Sequence, residues 1–213
     1  MQAFHFFTKL DQSLLLGLRA RTVGELLTGI QSVPDSSIYH HTHRFLHQHH
    51  FLSPEPPNDF AYWVTDVLGD GALGEQLWSV DTVRFQNVGS LREKLIGILE
   101  SHLDSQRWIS QCIEGEEFHF MASRTFVLPT THVAHNLMEF ADQIGRVSIN
   151  SVYFHMFDAK LRLKYGENDF SRWFRDQGKT ALADETKRLD PYSYTLDGLR
   201  QRIVALVRQH ESA

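Results

Sequence analysis

Written against itself with a shift of 114, the 213-residue chain repeats. Phe4-His5-Phe6 falls on Phe118-His119-Phe120, Leu14 on Leu128 and Ala20 on Ala134. Glu25, Ile30, Val33, Ser37, Tyr39 and His41 fall on Glu139, Ile144, Val147, Ser151, Tyr153 and His155. These are eleven identities over the 44 positions from Ala3 to Leu46, where unrelated sequences would give about 2 or 3. At a shift of 110, Asn58-Asp59-Phe60, Trp63 and Asp66 meet Asn168-Asp169-Phe170, Trp173 and Asp176. The four missing residues fall in the Ser53-Pro54-Glu55-Pro56-Pro57 loop, where insertions and deletions are cheap. Further on, Leu91-Arg92 meets Leu199-Arg200 at a shift of 108. Apolar periodicity alone would not align His5, Tyr39, His41 and Trp63. The reading is a tandem duplication, residues 1–114 and 115–213, with two helical repeats expected to pack as one globular unit.

Each copy begins with a short aromatic stretch of strand character and then turns helical. Thr22-x-x-Glu25 is a capping box that starts one helix. Pro34-Asp35-Ser36-Ser37 opens the next, and Asn58-Asp59 opens another as an N-cap with an acidic first turn. Leu91 to Leu103 forms a last amphipathic helix. The second copy predicts matching helical segments near 131–146, 149–164, 168–177 and 196–210. The expected fold is therefore mainly α, a bundle of two pseudo-equivalent helical repeats. The two Phe-His-Phe stretches are candidates for a minor two-stranded β element.

Composition bounds the function. Lys and Arg number 21 against 26 Asp and Glu, a formal charge of −5, so no nucleic-acid partner is expected. The single cysteine, Cys112, is read as a core residue and fits a reducing compartment. The start of the chain lacks signal-peptide character, and no run approaches a membrane span of ~20 apolar residues. A cytoplasmic protein with no membrane partner is expected, with a homo-oligomer as one open arrangement.

Histidine is the unusual residue, 13 in all. On a helix over 38–52, His40, His43, His47 and His50 form one row, and His41 sits beside the apolar stripe of Ile38, Phe45 and Leu52. Residues of this spacing can ligate a divalent metal, and His40, His43 and His47 are the weak metal candidates. No carboxylate accompanies them in an HExxH arrangement, and the second copy has Phe154, Phe157 and Leu161 at three of these places. The preferred expectation is no cofactor. His41 and His155, with Tyr39 and Tyr153 two residues earlier, recur in both copies. They are the catalytic candidates if both imidazoles face one cleft; the alternative is a hydrogen-bonded core histidine in each copy. His5, His119, Ser37, Ser151, Trp63 and Trp173 are candidate ligand-binding residues, the serines and Arg146 by lying at helix starts and the tryptophans by stacking. No dinucleotide, phosphate-loop or nucleophile-elbow motif occurs.

The stretches Ser37-Ile38-Tyr39-His40-His41-Thr42-His43-Arg44-Phe45-Leu46 and Ser53-Pro54-Glu55-Pro56-Pro57-Asn58-Asp59-Phe60-Ala61-Tyr62-Trp63-Val64 resemble an uncharacterised bacterial family, a domain of unknown function, along most of the chain. The resemblance implies an association with carbohydrate-active enzymes such as glycosyltransferases and assigns no residue a role. The expected function is a non-catalytic binding or scaffold module, linked to carbohydrate metabolism, for an unknown small molecule or partner protein. The alternative is a histidine-dependent hydrolase or transferase, with or without a divalent metal.

Overall fold

The computed structural model describes residues 2–48, 58–82, 85, 87–105, 110–159, 167–189 and 194–211. Strand β1 runs from Phe4 to Ala20 and β2 from Phe118 to Ala134, each 17 residues long, and the two pair antiparallel. This corrects the expectation of a helical bundle with a minor β element: the fold is mixed α and β, though mainly helical. The segment read as helical from 131 is still β2 as far as Ala134. The strands hid because their middles are open. In β1 Leu15, Leu16 and Leu18 are exposed, and in β2 so are Phe126, Val127 and Leu128. The in-out alternation that marks a half-buried strand is therefore missing. Gly17, at φ 75°, and Pro129 interrupt what would otherwise be flat pairing edges.

The helices follow their caps. α1 (Val23–Ser32) starts at the predicted box: Thr22 Oγ1 accepts from the Glu25 amide, and Glu25 Oε2 accepts from the Arg21 amide. α2 is Asp35–Gln48. α3 (Asp59–Tyr62) is capped by Asn58 and continues as a π-helical turn, Trp63–Val67. α4 is Gly71–Trp78 and α5 is Val88–Ser105. After β2, α6 (Leu137–Ile144) repeats the box with Asn136 and Glu139. α7 (Ile149–Tyr153) runs into a second π-helical turn, Phe154–Asp158. α8 (Asp169–Asp176) is capped by Asn168, followed by α9 (Thr180–Lys187) and α10 (Leu196–Glu211).

The chain divides into two compact units, and the division cuts both strands. The α6–α10 unit takes in β1 as far as Leu10, and the α1–α5 unit takes in β2 as far as Arg124. Each helical unit thus holds the aromatic start of a strand whose remainder falls in the other unit. In the α1–α5 unit, Phe118 and Phe120 belong to a core with Leu26, Ile30, Phe60, Trp63, Leu95 and Leu99. A Cβ on Gly29 would collide with the Phe120 ring, so the helix needs glycine there for this side chain to seat. In the α6–α10 unit, Phe4 and Phe6 lie among Phe140, His155, Phe170 and Trp173, with ring centroids 4.8 to 6.3 Å apart. Burying a phenylalanine is worth about 1.5–3 kcal/mol, so two per segment hold each strand end, and the polar contacts fix its register.

Candidate functional site

The polar contacts on the two strand ends match. In the α6–α10 unit, the Phe7 amide donates to His155 Nε2 at 2.9 Å, and His155 Nδ1 lies 2.7 Å from Asp169 Oδ2. In the α1–α5 unit, the Met121 amide donates to His41 Nε2 at 3.0 Å, and His41 Nδ1 lies 2.8 Å from Asp59 Oδ2. The tautomer follows by elimination. A backbone amide only donates, so Nε2 carries the lone pair and Nδ1 carries the proton given to aspartate. Trp173 Nε1 donates to the Gln2 carbonyl at 2.9 Å, and Trp63 Nε1 to the Glu116 carbonyl at 2.8 Å. The indoles and imidazoles therefore hold the two ends of each aromatic segment.

His41 and His155 are both 3% exposed, each within its own unit, with both ring nitrogens engaged. Asp59 and Asp169 stand in the first helical turns expected for them, and their carboxylates also orient the imidazoles, a role that chain separations of 18 and 14 residues concealed. Ser151 Oγ donates to the Phe7 carbonyl at 2.6 Å, while Ser37 Oγ is buried without a hydrogen bond among the described residues. Tyr153 is buried, with Lys9 Nζ 4.6 Å from its ring centroid, and Lys9 pairs with Asp158 at 2.7 Å. Tyr39 stacks on His43.

His40 and His43, two of the weak metal candidates, are buried. His40 Nδ1 lies 3.0 Å from Ser123 Oγ, and His43 Nδ1 lies 2.8 Å from Thr42 Oγ1. The His47 side chain and residue His50 lie outside the described residues. Among the described residues, no three His, Cys, Asp or Glu side chains group as a metal site, and no helix is long and apolar enough to cross a membrane.

An open cleft of about 560 Å³ lies in the α6–α10 unit beside the His155–Asp169 pair. Phe7, Val127, Phe154 and Trp173 form its apolar walls, and His5, Arg172 and Asp176 its polar rim. Those three rim residues are exposed, and their side chains make no hydrogen bond or ion pair among the described residues. Arg172, Trp173 and Asp176 share the α8 face with Asp169, being three, four and seven residues on. His5 and Trp173 were singled out by the sequence. Arg172 and Asp176 were not: Arg172 is matched by Tyr62 at the 110 shift, and Asp176 was only an identity with Asp66.

Fold and site thus define a chain of two helical bodies, each gripping an aromatic strand through a histidine–aspartate pair. The chain belongs to DUF5752, a family of unknown function, whose profile matches residues 1–208. It is similar to the solved structure of OrfY from Thermoproteus tenax, with a TM-score of 0.83 and 29% identity over 100% of this chain and 97% of that one. No curated protein matches it.

Proposed function

We propose that the protein is a non-catalytic binding module that takes a hydroxyl-rich small molecule of sugar type in the α6–α10 cleft. The observation carrying this reading is the uncommitted rim of His5, Arg172 and Asp176 over an aromatic floor. A guanidinium and a carboxylate satisfy hydroxyl donors and acceptors together, while the aromatic wall meets the apolar face of a ring. His155, the catalytic candidate in this unit, has both ring nitrogens engaged by the Phe7 amide and Asp169, which favours a structural over a proton-exchanging role for that imidazole. The proposal includes a cytoplasmic location, for which the single cysteine speaks. It also reads the repeat as a tandem duplication whose copies have traded strand ends. Support comes from Phe7 and Met121, 114 residues apart and making the same bond.

The test is a titration of the full chain with glucose, maltose and glucose 6-phosphate, followed by NMR shifts of His5, Arg172 and Trp173. Saturable shifts that vanish in Arg172→Ala and Asp176→Ala, at unchanged melting temperature, are expected. If none of the three sugars moves these resonances, the reading fails.

A further inference from the structure

The two helical bodies grip segments of different sequence by the same atoms. The occupants are Gln2-Ala3-Phe4-His5-Phe6-Phe7 and Glu116-Glu117-Phe118-His119-Phe120-Met121. They share only Phe-His-Phe, and the central histidine is exposed in both. The indole and imidazole bonds all go to the occupant's main chain, at Gln2 and Phe7 or Glu116 and Met121. The occupant's side-chain requirement reduces to two phenylalanines, at most 7% exposed in either segment. This is recognition of an extended strand, with main-chain bonds for register and alternate pockets for specificity.

We infer that the α6–α10 body is a receptor for an extended Phe-x-Phe strand and accepts one supplied by another polypeptide when the resident segment is displaced. The indole, imidazole and phenylalanine contacts read groups that any peptide of this pattern carries; the Lys9–Asp158 pair lies beyond Phe7, outside the pattern, and the test peptides omit it. The resident strand holds the site by local concentration, of order millimolar for a short tether. An incoming strand therefore gains the site once the resident phenylalanines are weakened.

The experiment has two arms. In the first, the full chain carrying Phe4→Ala and Phe6→Ala is melted with the peptide Gln-Ala-Phe-His-Phe-Phe-Thr, with Glu-Glu-Phe-His-Phe-Met-Ala, and with the first peptide bearing alanine for its first two phenylalanines. Both Phe-x-Phe peptides are expected to raise the melting temperature by several degrees at saturating excess, and the alanine peptide to leave it unchanged. The second arm does not depend on that variant folding. Gln177 Nε2 lies 3.3 Å from the Gln2 carbonyl. The full chain with Gln177→Cys and Cys112→Ser is incubated, in a buffer of oxidised and reduced glutathione, with a peptide bearing cysteine in place of its first glutamine, and the mixed disulfide is read by mass. An adduct with the Phe-x-Phe peptide and none with the alanine peptide is expected. A disulfide-linked dimer formed without peptide by the chain that also carries Gln2→Cys supports the inference and names a second copy as strand donor. Equal behaviour of the phenylalanine and alanine peptides, or no response in either arm, overturns it.

Discussion

The backbone amide of Phe7 ends on the ring of His155, 148 residues away, at 2.9 Å. Removing the ring nitrogens while keeping its volume separates this bond from packing. His155→Phe still fills the space among Phe4, Phe6 and Phe170 but takes the Nε2 acceptor from the Phe7 amide and the Nδ1 donor from the Asp169 carboxylate. A loss of roughly 1–3 kcal/mol is expected, read as a lower urea midpoint with an unchanged slope. A stability equal to wild type would mean that the histidine bonds contribute nothing net.

Lys9 and Asp158 form an ion pair with side chains 1% and 10% exposed. Taking Asp158 away removes the carboxylate 2.7 Å from a buried ammonium, so Asp158→Ala is expected to cost about 3–5 kcal/mol. Replacing both, as Lys9→Met with Asp158→Leu, should recover most of that, because neither desolvation term remains. Urea denaturation of the three proteins decides the matter. A double variant as unstable as the single one would show that the pair serves more than its own neutralisation.

Acid should loosen the strand end in the α1–α5 unit. Glu117 has its carboxyl held below the ordinary 4.5 by its own backbone N–H and by the Gly115 amide, with Arg19 and Arg21 adding to the effect, against the opposing pull of desolvation. A carboxyl with a depressed folded pKa contributes stability above its unfolded pKa, and that contribution is lost as the pH falls through the folded value. Glu117→Gln should therefore show a shallower loss of stability below about pH 4.5 than wild type. Superimposable acid limbs for the two proteins would contradict the assignment.

Local signals in the sequence carried far. Thr22, Asn58 and Asn168 cap the helices they were expected to cap, because a cap is a contact within three residues. The 114-residue shift already paired Phe4-His5-Phe6 with Phe118-His119-Phe120 and His41 with His155. Three things were out of reach. The strands extend to Ala20 and Ala134 through Leu14-Leu15-Leu16 and Phe126-Val127-Leu128, where both neighbours of each middle residue are apolar and no period of two survives. The exchange of strand ends is a relation between distant segments, and a repeat looks the same whether its strand returns to its own body or enters the other. Asp59 and Asp169 read as first-turn acids, which they are, and nothing at that spacing announces an imidazole above them.

Amide hydrogen exchange at Phe7 and Met121 tests the histidine grip on the strand ends most directly. Both amides should be protected in the wild-type chain, and His155→Phe should release Phe7 while Met121 stays protected by His41. Phe7 exchanging at the same rate with and without the imidazole would contradict the account.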